Sequence, residues 1–258
     1  MMKDPYIEVT ERPGLRATPE QLSMLYTRYH TAASYAEGKK VLEVACGAGM
    51  GLGYMARRAN RVVGGDYSES LLLVCKHHYE GHIPLVRLDA QTLPFKDASF
   101  DLVVFYEALY YLARPENFVA EVRRVLRLGG TLLICTANKD RSGFVRSPHS
   151  YRYFSARELC QLLEEQGSTV KLFGAFPVAE GSLRGSLMSL VRRVIVSLNL
   201  VPGTLKGREL LKRLAYGKLQ ELKPEVSEGM AELESLVPIS GTEPTRQFKV
   251  LYALAHLS

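Results

Sequence analysis

No apolar run in the 258 residues approaches the ~18 that a membrane-spanning helix needs, and the opening stretch MMKDPYIEVTERPG lacks the apolar segment of a signal peptide. Both absences point to a cytoplasmic protein. Cysteine is scarce: Cys46, Cys75, Cys135 and Cys160 stand far apart and form no C-x-x-C pair. That argues against a disulfide framework and a zinc knuckle, and their apolar neighbours suit buried, reduced thiols. His77, His78 and His82 end a helical stretch, where imidazole suits the helix dipole, and no acidic ligands accompany them; no metal site is expected. What is present is ordinary for a globular chain, with 47% hydrophobic and 23% charged residues, so a normal core can form and wholesale disorder is excluded.

The apolar pattern changes period along the chain. PEQLSMLYTRYHTAASYAEG from Pro19 places Leu22, Leu25, Tyr29 and Ala33 at helical spacing and stops at Gly38. Short apolar runs follow at 39–45, 61–66, 83–89, 100–109 and 131–138, with helical stretches between them, one capped by Ser68 and another reading NFVAEVRRVLRLGG. Strands alternating with helices at this interval predict an α/β fold with a doubly wound parallel sheet. A further helix from Ser155, a sixth strand STVKLFGAF and a terminal strand at 246–257 complete the pattern. The organisation expected is an arm and cap helix at 1–38, a core at 39–174 and 246–258, and a helical insertion at 175–245.

The chemistry is concentrated at the strand ends. Glu43 leads into Gly47, Gly49 and Gly51, a turn that brings backbone close to a ligand. The dinucleotide spacing G-x-G-x-x-G is absent: Leu52 stands three after Gly49 and Tyr54 three after Gly51. An acid before the glycines suits the ammonium and sulfonium of S-adenosylmethionine and repels a pyrophosphate. Asp66 ends the second strand, where a carboxylate can accept from both ribose hydroxyls, and Asp89-Ala90 ends the third, facing an adenine amine. Any one of these acids alone reads most simply as a loop residue; three on successive strands do not.

On these residues the sequence resembles the class I S-adenosylmethionine-dependent methyltransferases. VLEVACGAGMG is similar to their first motif, VVGGDYSESLL to the second, LDAQTLPFKDASFDLVVFYEALYYL to the third and fourth, and RVLRLGGTLLI to the turn and strand that follow. The branch it looks most like is the small-molecule group that includes quinone-biosynthesis C-methyltransferases. The resemblance covers about 35–175 and implies a Rossmann-like, seven-stranded sheet whose last strand, 246–257, is antiparallel. It implies cofactor contacts from Glu43, Ala45, Gly47, Gly49, Asp66, Tyr67, Asp89, Ala90, Tyr106 and Glu107. Ala45 stands where relatives usually carry glycine, and Tyr110-Tyr111 where many carry a His pair, so no histidine base carries over.

Methyl transfer from a sulfonium is an in-line displacement in which the protein mainly aligns the reactants and excludes water. A base could assist an oxygen, nitrogen or acidic-carbon acceptor. The candidates are Glu107, Tyr110, His30 on the cap helix and His149, each with a plainer alternative as a wall or surface residue. The net charge of +6 is local: between 171 and 220, Lys171, Arg184, Arg192, Arg193, Lys206, Arg208, Lys212, Arg213 and Lys218 face only Glu180 and Glu209. A solvated cap is the plainest reading of that stretch. Recognition of an anionic or lipid-linked acceptor, peripheral membrane contact through 184–218 and a homo-oligomer interface are others. No nucleic-acid-reading module is present. The sequence therefore predicts a methyltransferase of a small-molecule acceptor (a metabolite, sugar or lipid-linked intermediate), with a non-catalytic, methyltransferase-like scaffold as the alternative.

Overall fold

The computed structural model describes residues 6–147, 149–178 and 219–257. Ten strands and five α-helices occur among them: β1 (Arg16–Ala17), α1 (Pro19–Tyr35), β2 (Lys40–Val44), α2 (Leu52–Ala56), β3 (Arg61–Asp66), α3 (Glu69–Tyr79), β4 (Leu85–Arg87), β5 (Phe100–Tyr106), α4 (Pro115–Val125), β6 (Leu126–Ala137), α5 (Ala156–Glu164), β7 (Ser168–Pro177), β8 (Gln220–Glu221), β9 (Val237–Ile239) and β10 (Phe248–Leu257). Eight strands form one sheet in the order β4-β3-β2-β5-β6-β10-β7-β9. The pairings from β4 to β6 are parallel, and β10 runs antiparallel to both β6 and β7.

Apolar residues on both faces of the strands create this arrangement. Val41, Leu102, Val104 and Leu133 enter one cluster with Leu25, Tyr29, Met55 and Leu71, while Leu42, Val44, Val103, Phe105 and Ile134 enter another with Phe118, Val122, Leu159 and Leu163. A strand apolar on both faces is stable only between two helical layers. Capping residues set the helix starts. Thr18 and Gln21 form a capping box with Pro19 at the first turn of α1, Ser68 Oγ accepts from the Leu71 amide, and Ser155 and Glu158 form a second box at α5.

The sheet has eight strands where seven were expected. The extra one, β9, joins the free edge of β7 through Leu172, Phe173 and Gly174. It is three residues long and contains Pro238, which an edge position tolerates, so it carries no readable strand pattern. The stretch LRLGG, expected to close a helix, instead belongs to β6, which starts at Leu126 with a register shift opposite Phe100–Leu102; Gly129 takes the positive φ the irregularity requires. Most of the expected insertion, 179–218, lies outside the described residues, as does any role for 184–218. Its described end, 219–245, holds β8, β9 and turns but no helix.

That end straps α1 and α2 onto the core. The Val226 amide donates to the Met50 carbonyl at 2.8 Å. The Tyr26 and Tyr54 hydroxyls both donate to Glu228 at 2.6 Å, and the Glu234 amide donates to Thr27 Oγ1 at 3.0 Å. β8 pairs with β1 and fixes the segment leading into α1. The residues α1 presents to the sheet ends are therefore held from outside as well as from within.

Candidate functional site

Chain order reverses between β2 and β5: β3 and β4 lie to one side of β2, β5 and β6 to the other. Loops leaving the carboxyl ends of such neighbours diverge and open a crevice. A cavity of about 820 Å³ occupies that position, walled by the ends of β2, β3, β5 and β6, by one face of α1, and by the arm residues Tyr6, Val9, Thr10 and Glu11.

The glycine turn forms one wall. Gly47 and Gly49 have φ of +57° and +75°, and a Cβ on Gly49 would lie 2.2 Å from Cys75 Sγ. Asp66, buried at the end of β3, accepts from the Gly47 amide at 2.7 Å and from the Ser68 amide at 2.8 Å. It thus ties the turn to the start of α3 while lining the cavity. Tyr67, Asp89 and Ala90 line the same side; the Asp89 carboxylate accepts from the Gln91 amide at 2.8 Å.

Glu43 lies one layer behind this wall. It is 1% exposed, its Oε1 accepts from the Tyr29 hydroxyl at 2.7 Å, and its Oε2 has no partner. Tyr29 itself lines the cavity. Burial drives the Glu43 carboxyl up to about 8, with Asp66 adding to the rise and Tyr29 and Arg28 opposing it. Across the crevice, Glu107 takes φ +51° just past β5 and accepts from the Tyr110 hydroxyl at 3.0 Å. Burial raises its carboxyl too, against the pull of Arg28 and that hydrogen bond. Tyr106 lines the cavity and its hydroxyl donates to the Arg28 carbonyl at 2.9 Å.

Of the residues singled out in the sequence, Ala45, Gly47, Asp66, Tyr67, Asp89, Ala90, Tyr106, Glu107 and Tyr110 border this single cavity. Gly49 and Glu43 support its wall. His30 does not border it; its ring lies 5.7 Å from that of Tyr26, on the strapped side of α1. His149 is exposed on a loop, at φ +64°, and does not border it either. Arg28, Tyr6 and Glu11 went unrecognised. Arg28 had a signal, since it lies three residues after Leu25 and four before Ala32, inside the apolar stripe of α1.

Residues 42–134 match the family model of the methyltransferase domain. This part of the chain is a class I, S-adenosylmethionine-dependent methyltransferase domain. Phthiotriol/phenolphthiotriol dimycocerosates methyltransferase 1 of Mycobacterium ulcerans is 38% identical over 137 residues, which is 51% of this chain and 49% of that one. The fatty-acid O-methyltransferase of Mycolicibacterium smegmatis is 41% identical over 114 residues, 42% of each chain. The chain thus spans about half the length of the curated relatives it matches. A solved SAM-dependent methyltransferase from Thermotoga maritima, described as a possible histamine N-methyltransferase, superposes with a TM-score of 0.59 at 14% identity over 93% of this chain and 92% of that one; it shows the shared fold.

The cavity's donor set fits S-adenosylmethionine. A buried carboxylate, Asp66, lies at the carboxyl end of β3, glycines leave room beside it, and Glu43 just behind the wall has an unpartnered buried carboxyl oxygen. Among the described residues no group of three or more His, Cys, Asp or Glu could hold a metal ion, and no helix is long and apolar enough to cross a membrane.

Proposed function

We propose that the chain transfers a methyl group from S-adenosylmethionine to an oxygen of a lipid-like small molecule. The observation that carries this is the pairing, across one cavity, of the Asp66-clamped glycine turn with the buried Glu107–Tyr110 couple. Asp66 would hold the ribose hydroxyls, Asp89 and Ala90 the adenine, and Glu43, acting through Tyr29, would set the negative charge at the ammonium end. When bound, the cofactor supplies an activated methyl carbon, so the chain's own task is alignment, exclusion of water and handling one proton.

The acceptor side is aromatic. Tyr6 packs edge-on against Tyr67 and Tyr111, Tyr111 against Tyr110, and Tyr110 stacks on Tyr153 at 4.3 Å. Tyr67 and Tyr151 are 61% and 64% exposed where they border the cavity. A flat apolar rim of this kind suits an acyl or ring-bearing body whose polar head reaches inward. Glu107, with its raised affinity for a proton, would take the proton of an acceptor hydroxyl. The relatives named for fatty-acid and phthiotriol methylation support an acceptor of this class.

The test uses methyl-labelled cofactor with three acceptors in detergent micelles: a long-chain fatty acid, a long-chain diol and a water-soluble amine, read by mass spectrometry. Label should enter an oxygen of one of the first two. Glu107→Gln should slow transfer by about 10²- to 10⁴-fold, the usual contribution of a positioned base. Label only on the amine, or unchanged turnover in Glu107→Gln, would refute the oxygen assignment.

A further inference from the structure

The loop between β6 and α5 reads KDRSGFVRSPHSYR over 139–152, four basic residues against one acid. Lys139 and Arg152 pair with Glu158 on α5, so their charge is partly spent within the fold. Arg146 is placed differently. It is exposed, and its Nη2 donates to the carbonyls of Ser150 and Tyr151 at 3.0 and 2.9 Å. Those carbonyls fix the backbone that carries Tyr151 and leave the guanidinium's charge unneutralised at the surface.

The loop is fastened to the aromatic rim of the cavity. The Tyr151 amide donates to the Tyr110 carbonyl at 2.8 Å, Tyr111 and Ser147 join hydroxyls at 2.7 Å, and Phe144 packs edge-on against Tyr153 at 4.7 Å. Tyr67 belongs to the same rim through Tyr6 and Tyr111. Val145, between Phe144 and Arg146, is 46% exposed. Single exposed apolar residues carry no meaning, but here Val145, Tyr151 and Tyr67 gather at the mouth of one cavity beside a free positive charge. Tyrosine offers an apolar ring with a wet hydroxyl, and arginine a fork matched to phosphate, a combination suited to the headgroup boundary of a bilayer. A protein seated on this rim would close the opening, whereas a lipid surface brings the acceptor's own phase to it.

We propose that this loop docks the cavity mouth onto an anionic lipid bilayer, with Val145, Tyr151 and Tyr67 at the acyl–headgroup boundary and Arg146 on lipid phosphate. The acceptor then enters the cavity without crossing water. The proposal rests on the reading that the acceptor is lipid-like.

Sedimentation of the full chain with vesicles tests docking without acceptor or turnover, so its failure is separable from failure of the acceptor reading, which shows in label transfer. The wild type should bind vesicles of phosphatidylcholine containing about one-third phosphatidylglycerol, lose that binding as salt is raised, and ignore phosphatidylcholine alone. The double variant Val145→Ser, Arg146→Gln should partition about 25-fold more weakly, about fivefold from each lost contribution, with S-adenosylhomocysteine affinity unchanged. The chain has no tryptophan, so Tyr151→Trp supplies a single reporter whose emission should shift to the blue on anionic vesicles and be quenched by brominated lipid. Failure of the wild type to bind anionic vesicles, or equal binding by the double variant, overturns the proposal. Unshifted emission from vesicle-bound Tyr151→Trp overturns it too, and decides the matter should the double variant not fold. A double variant of lower oligomeric mass with unchanged vesicle binding makes the rim an interface between copies and overturns it as well.

Discussion

Burial holds a proton on Glu43 up to a pH of about 8, whereas an exposed glutamate gives its proton up near the ordinary carboxylate value. The folded chain therefore binds the proton more tightly than the unfolded one. Between those two pH values this group lowers stability as pH rises, and the loss levels off above about 8. A cation arriving nearby favours the ionised form and reverses the effect. Binding of S-adenosylmethionine near pH 7 should thus release protons, measurable as a dependence of the calorimetric heat on the buffer's ionisation enthalpy, and affinity should rise with pH up to about 8. Glu43→Gln, which leaves Tyr29, Arg28 and Asp66 in place, should remove most of that release. Proton uptake, or an unchanged release in Glu43→Gln, would contradict this electrostatic account. At this scale the acids at strand ends stood out because three successive strands each end in one, although any one alone reads as a loop residue. The histidines were not separable from surface residues by type alone, and the one signal of Arg28 was its place inside the apolar stripe of α1.

The turn after β2 shows how an element's sequence fixes a site's shape. Gly51 has an ordinary backbone, so its role is space: a Cβ there would lie 1.8 Å from the Tyr29 ring. Gly51→Ala should push Tyr29 off Glu43, cost about 1–3 kcal/mol as overpacking does, and weaken cofactor binding in the same variant. Denaturant unfolding together with a binding titration checks it; full stability and full affinity would show that the ring has room to move. Most elements were readable because their signals are local. Helix α4 carries Phe118, Val119, Val122 and Val125 on one buried face, and β2, β3 and β5 are continuous apolar runs that only a covered sheet explains. Strand β9 and the early start of β6 were not readable, since an edge strand with proline and a bulge opposite Phe100 are settled by the partner strand rather than by their own residues.

At the scale of the whole molecule, the reversal of strand order at β2 and β5 gathers side chains from residues 6 to 252 around one crevice. The parallel half of the sheet and its cofactor end followed from strand–helix alternation and the glycine turn. The strap at 219–236 did not, because it is held by single polar contacts across more than 160 residues of sequence, such as Tyr54 to Glu228, and such contacts leave no period to detect. The rim proposed for the acceptor was not legible for a related reason: it draws on the arm and on the loops after β3, β5 and β6, and no one segment announces it.

The most direct test of the account is calorimetric titration of the wild type and of Asp66→Ala with S-adenosylmethionine, S-adenosylhomocysteine and NADH. On the proposed reading Asp66 receives the ribose hydroxyls, and it also clamps the Gly47 amide, so the account predicts micromolar binding of both sulfur compounds, no binding of NADH, and a loss of about 10- to 100-fold in Asp66→Ala from removing hydrogen bonds to a charged group. Binding of NADH by the folded wild type, or failure of both sulfur compounds to bind it, would contradict the account at its centre.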